Sequence, residues 1–167
     1  SPASKATRGG SQTGELRFEA GGVLAAWRDA VDAAVRDAIA DFMADGYASH
    51  PLMAPAAPSW TLRAWGTVLE EGGRQAPHIH PLGWLSGVYY ARLPGGMAAG
   101  DSEAGWIEFG MPPPRFRMAV APATRRVEPR PGRLLLFPSW AWHRTLPFAA
   151  AGRRISLAFD VMPRRRA

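Results

Sequence analysis

Two histidines stand one residue apart, at positions 78 and 80, in the stretch QAPHIHPLGWLSGVYY (75–90). In an extended chain residues two apart project from the same face, so His78 and His80 share a side while Ile79 points away. Two imidazoles placed in this way can ligate one metal ion. By itself H-x-H is equally consistent with two surface histidines. A third histidine, His143, lies far downstream in FPSWAWHRTLP. Trp140 and Trp142 share one parity there and His143 takes the other. If that segment is extended, the tryptophans pack on one side and the histidine faces the opposite one; the alternative is a core-edge histidine bonded to backbone. The fourth, His50, precedes Pro51 in a proline-rich stretch (50–59) and reads as a loop residue rather than a ligand.

The segment RRISLAFD (153–160) carries a second kind of chemistry. Ile155, Leu157 and Phe159 fall on one parity, and Arg154, Ser156, Ala158 and Asp160 on the other. The apolar set requires a packed layer. On a solvated sheet the second set is an ordinary polar face. On a sheet closed around a cavity it is a carboxylate clamp, with a two-pronged guanidinium and a hydroxyl beside it. Pattern alone leaves both readings open.

These residues need elements to hold them. Val23 to Asp45 repeats apolar residues at three- and four-residue steps (Val23, Trp27, Val31, Ala34, Val35, Ala38, Ile39, Phe42), which predicts an amphipathic helix stopped by Gly46 and laid against a sheet. From Trp60 the texture is that of strands. TLRAWGTVLE runs to a turn signal at Glu70–Gly73, and then come HIH, WLSGVYYARL, WIEF, 126–128, 133–137, 142–146 and 154–161. Seven or eight short strands after one helix predict an all-β core of the sandwich, jelly-roll or barrel kind. Residues 1–14 show no periodicity and read as a linker or tail, leaving one domain over 15–167. The loops 94–105 and 111–115 are candidates for a lid and a substrate edge.

Composition narrows the functions. The 167 residues contain no cysteine, which excludes disulfides, thiolate metal sites and thiol nucleophiles. The 18 glycines and 16 prolines suit many turns between short strands. No apolar run approaches the ~18 residues of a membrane span and no signal peptide is visible, so a cytoplasmic protein without membrane contact is expected. The formal charge of +6 is concentrated in the carboxy-terminal half, but all the basic residues except Lys5 are arginines, as compositional bias would give, and Arg164, Arg165 and Arg166 are a terminal run, so nucleic acid is not the expected partner. An edge strand or the amino-terminal segment could pair with a second copy, and neither signal decides. The first residue is Ser1, which is consistent with a segment of a longer chain.

Three stretches together, HIHPLGWLSGVYY, PRPGRLLLFPSWAWH and RRISLAFD, resemble the 2-oxoglutarate/Fe(II)-dependent oxygenase family, whose members often follow tetratricopeptide helical repeats. The resemblance runs from about Gly10 to Met162. It implies a mainly β double-stranded β-helix (jelly roll) with a supporting helix, and Fe(II) and 2-oxoglutarate as cofactor and co-substrate. The activity it implies is hydroxylation of a small-molecule or peptide substrate with decarboxylation of 2-oxoglutarate to succinate. His78 corresponds to the first histidine of the superfamily's H-x-D/E motif and His143 to the distal histidine. Arg154 and Ser156 correspond to the pair that holds the far carboxylate of 2-oxoglutarate, and Tyr90 to a hydrogen-bonding partner of that co-substrate. His80 stands where a carboxylate ligand is usual. Three neutral imidazoles leave a metal more positive than two imidazoles and a carboxylate, and Glu70 or Glu71 could supply the missing charge. Two other readings use the same residues: a cupin-like three-histidine jelly roll of different chemistry, and a binding module without catalysis.

Overall fold

The structure is a computed structural model that describes residues 6–53, 59–97 and 102–164. Expectations that fall on residues 1–5, 54–58, 98–101 and 165–167 lie outside these.

The long strand is the frame. TLRAWGTVLE does not end at Glu70–Gly73 as the turn signal predicts. Strand β2 runs without interruption from Trp60 to His78, while β1 spans Thr7–Glu15. The two-glycine turn signal is instead absorbed as a bulge within β2, because β1 pairs across it: Arg8 lies opposite Arg74, and Gly10 opposite Leu69. Residues 7–14, expected as part of a linker or tail, are therefore a strand of the sheet. Their polar, aperiodic composition hides this, since most of their side chains face solvent. Glycine makes the crossing possible: a Cβ on Gly10 would lie 2.1 Å from the carbonyl oxygen of Val68.

With β1 on one edge of β2, the other edge is shared in succession by two partners. The first half, 60–69, pairs antiparallel with β8 (Arg154–Pro163), and the second half pairs with β7 (His143–Thr145). The sheet grows from these two contacts. On one side β8 carries β3 (Leu85–Arg92) and then β6 (Leu134–Pro138). On the other, β7 carries β4 (Ile107–Phe109) and β5 (Arg125–Val127). The resulting order is β5-β4-β7-β2-β8-β3-β6, a curled antiparallel sheet, and the jelly roll expected from the sequence is the fold. Buried Glu108 of β4 secures β7 by pairing with both Arg126 of β5 and Arg144 of β7, at 2.7 and 2.8 Å.

Helix α1, Gly22–Ala44, covers the outside of this sheet. Val31 and Val35 are fully buried against Ala64, Trp84, Leu85, Phe159 and Val161, with Trp27 edge-on to Phe159. Two apolar residues of the stripe do otherwise. Val23, in the first turn, is 84% exposed, and Phe42, in the last, packs on Tyr47 and His50.

The alternation read in RRISLAFD is realised. Phe159 and Val161 face the helix, and Arg154, Ser156, Ala158 and Asp160 face the inside of the curl. Gly87 of β3 lies opposite Phe159, and a Cβ there would meet Phe159 Cζ at 2.2 Å and the Leu135 carbonyl oxygen at 2.6 Å. Gly87→Ala is therefore expected to lower stability by ~1–3 kcal/mol through overpacking, despite alanine's better strand propensity. A urea-denaturation midpoint equal to that of the parent protein would contradict this packing.

Candidate metal and carboxylate site

The concave face encloses a cavity of about 320 Å³, open at one end. Its walls are rows of cross-strand neighbours. Tyr90, Ser156 and Thr67 form one row across β3, β8 and β2; Val88, Ala158 and Trp65 form the next; Ser86, Asp160 and Arg63 form the third. Directly opposed residues on adjacent strands share a face, so each row presents its three side chains to the same space.

At the mouth the three histidines converge. His78, at the end of β2, is in register with His143, the first residue of β7. His80 follows in the turn, where its backbone N–H donates to the Ser139 carbonyl at 2.9 Å, and its ring lies over Trp65. One ring nitrogen from each lies within 4.8 Å of the others. All three Nδ1 atoms are engaged behind the cluster: His78 with the Ala76 carbonyl at 2.8 Å, His143 with the Ala141 carbonyl at 2.9 Å, and His80 with Asp160 Oδ1 at 2.5 Å. These acceptors take Nδ1–H, and in the neutral imidazole that leaves Nε2 with a free lone pair. Holding the far nitrogen in this way is how proteins fix metal-binding imidazoles. Burial, with the neighbouring rings adding to it, lowers the His78 pKa to about 4 and the His143 pKa to about 3, so both are neutral donors at physiological pH.

At the closed end sits Arg154, 1% exposed. Its guanidinium lies over the Tyr90 ring at 5.0 Å and reaches Ser156 Oγ at 3.4 Å. Among the described residues no carboxylate pairs with it. Its Nε, the Tyr90 hydroxyl and Thr67 Oγ1 are all buried without a hydrogen-bond partner. Desolvation pushes the Arg154 pKa down and the Tyr90 pKa up, the latter opposed by the adjacent guanidinium. A buried cation without an anion, ringed by unused donors, is a receptor for an anionic oxygen group. Behind it, Leu69 packs with Met97 and Phe148, which places Met97, from the first of the two candidate lid loops, against the closed end of the cavity.

The model of the family described as "Putative 2OG-Fe(II) oxygenase" matches residues 63–160, more than half of the chain. The chain belongs to this family. The matched segment contains His78, His80 and His143 as well as Arg154 and Ser156, and so includes both ends of the cavity. A prolyl-4-hydroxylase from Pseudomonas putida has the same fold (TM-score 0.64, 17% identity, covering 99% of this chain and 78% of that one). So does the viral collagen prolyl hydroxylase of Paramecium Bursaria Chlorella virus-1, solved with 2OG (TM-score 0.54, 13% identity, covering 93% and 79%). No curated protein matches the chain in sequence.

Within this fold the residues singled out from the sequence are brought together. His78, His80 and His143 form one cluster, and Arg154, Ser156 and Tyr90 form the other end of the same cavity. His50 is elsewhere, its Nδ1 accepting from the Leu52 N–H at 3.1 Å. Neither glutamate suggested as a source of negative charge reaches the histidines: Glu70 pairs with Arg153 at 3.2 Å, and Glu71 is exposed. The carboxylate that does is Asp160, which sequence reasoning places on the right face without giving it a role. Thr67 escapes that reasoning for a similar cause, since the parity of TLRAWGTVLE puts it opposite Ser156 only once the register is known. Among the described tryptophans Trp65 lines the cavity, whereas Trp140 is 65% exposed.

The buried imidazoles link stability to pH. Their folded-state pKa values lie below the ordinary 6.5, so below that pH the unfolded chain takes up protons that the folded one refuses. The metal-free protein should lose stability as pH falls from about 6.5 towards about 4 for His78 and about 3 for His143, by up to ~1.4 kcal/mol per pH unit for each imidazole. Denaturation midpoints across that window should fall less steeply in His143→Asn than in the parent protein; equal slopes would count against the buried neutral state.

Proposed function

We propose that this protein is an Fe(II)- and 2-oxoglutarate-dependent dioxygenase that hydroxylates a small-molecule or peptide substrate. The observation that carries the reading is the pairing, in one cavity, of a three-histidine cluster at the open end with an unpaired buried arginine at the closed end. The two halves suit the two ends of a keto diacid bound to a metal. Imidazole nitrogens fit Fe(II), and the unused donors of Arg154, Tyr90 and Thr67 fit a carboxylate. His78, His80 and His143 would hold the iron through Nε2. Arg154 would take the far carboxylate of 2-oxoglutarate, with Ser156 and Tyr90 alongside. Bound together, iron and co-substrate supply the oxidising power: dioxygen is reduced, 2-oxoglutarate leaves as succinate and carbon dioxide, and a substrate C–H bond becomes C–OH.

The chain's own contribution is placement and exclusion. The rows Tyr90–Ser156–Thr67 and Val88–Ala158–Trp65 set the length of the co-substrate slot, and Leu69, Met97 and Phe148 keep water from its closed end. Substrate must approach from the open end, past His80, Pro81, Leu82 and Arg63. The prolyl hydroxylases that share this fold make a peptidyl substrate reasonable. A cupin-like chemistry without 2-oxoglutarate would use the same histidines but give Arg154 no ligand.

Three measurements test the reading. Anaerobic addition of Fe(II) and then 2-oxoglutarate to the metal-free protein should produce a visible charge-transfer band that needs both; iron binding without the band would favour the cupin-like alternative. His143→Ala should sharply lower iron content while leaving the fold intact, and full metal occupancy in that variant would remove His143 from the ligand set. Arg154→Met should weaken 2-oxoglutarate binding several-hundredfold, the loss of a buried charge-assisted pair worth ~2–4 kcal/mol. The same substitution should not destabilise the ligand-free protein, because it replaces an uncompensated buried cation with an apolar chain. A large drop in melting temperature would show that Arg154 is structural.

A further inference from the structure

The three histidines are not equivalent. His78 and His143 are backed by neutral backbone carbonyls, whereas His80 is backed by a carboxylate. That carboxylate, Asp160, is the one acidic residue among the described residues that line the cavity, with a side chain 14% exposed against 9% for His80. It is held in place from behind: Ser86 Oγ donates to the same Oδ1 at 2.7 Å, and Ser86 and Ser139 hydroxyls meet at 2.8 Å. Arg63, opposite Asp160 on β2, turns to Glu15 and leaves Asp160 free to serve the histidine.

We infer that Asp160 is a positioning residue for the metal site, supplying through His80 the negative charge that a directly coordinating carboxylate would otherwise provide. The inference rests on the proposed iron site and goes beyond it. A carboxylate accepting Nδ1–H fixes the tautomer and ring orientation, and it pushes electron density toward Nε2, which strengthens that nitrogen as a donor. The charge sits one imidazole away from the metal instead of on it. The histidine at position 80 is thereby compensated by a residue 80 positions later, on the strand that also carries Arg154. One strand, β8, thus serves both ends of the cavity. Asp160 touches no metal and is not itself a ligand.

The test separates charge from geometry. Asp160→Asn keeps an oxygen that can accept from both Nδ1–H and Ser86, and removes only the charge. Affinity for Co(II), followed by its visible spectrum, and for Fe(II) under anaerobic chelator competition should fall ~10–100-fold in this variant, with an unchanged melting temperature for the metal-free protein. A second pair of variants reads the same effect without relying on the first. His80→Asp places two carboxylates side by side and should bind Co(II) more weakly than the parent; adding Asp160→Asn to it should recover affinity by about tenfold or more. Parent-like affinity in Asp160→Asn, or no recovery in the double variant, overturns the inference while leaving the iron site standing. If the parent protein binds neither metal, the site itself is wrong and the inference falls with it.

Discussion

Everything in this domain depends on one strand that serves two partners. β2 gives its first half to β8 and its second half to β7, and the bulge at Glu70–Gly73 lets it change direction between them. The strand therefore belongs to both walls of the curl. Its first half lays Thr67 beside Ser156, in the arginine end of the cavity, and its last residue lays His78 beside His143. The distance between the two ends of the site is set along a single stretch of backbone. A pair of separate strands would have to hold that spacing through loops, which are the least rigid parts of a fold.

Much of this is legible in the amino-acid sequence alone. The helix, the succession of strands from Leu85 onward and the shared parity of Arg154 and Ser156 follow from periodicity, but that this parity faces a cavity rather than solvent does not. The three histidines are visible as residues, but their convergence depends on the pairing of His78 with His143, a long-range contact that no local pattern encodes. Two features are hidden or misleading for related reasons. The first strand is polar on most positions and pairs as an edge, so it carries no hydrophobic signature. Glu70–Gly73 has the composition of a hairpin turn, yet β1 runs past it and holds both flanks in one strand. Asp160 needs the third dimension too: only the fold shows that His80 has a carboxylate behind it.

The electrostatics of the cavity are divided by position. Its open end holds His78 and His143, both kept neutral by burial, and His80 with the Asp160 carboxylate tucked behind it. Its closed end holds a cation, Arg154, with no carboxylate partner among the described residues. Water could satisfy neither end well, since the side chains between them are Val88, Ala158 and the face of Trp65. Such a slot discriminates by length and by charge at once. A monoacid could reach one end only, and a diacid that is too short would leave either the guanidinium or the metal site without its contact.

Phe159 and Gly87 have a role that packing energy alone does not express. The ring stands where Gly87 has no side chain, and the positions two residues away on β3, Leu85 and Tyr89, offer no such gap. Sliding β3 along β8 by the two-residue step that preserves the facing of its side chains would drive Phe159 into one of them. The apolar side of the sheet, facing the helix, thus acts as an index for the polar side. It is a ring and a missing methyl on the outer surface that align Ser86 with Asp160 and Tyr90 with Ser156 on the inner one.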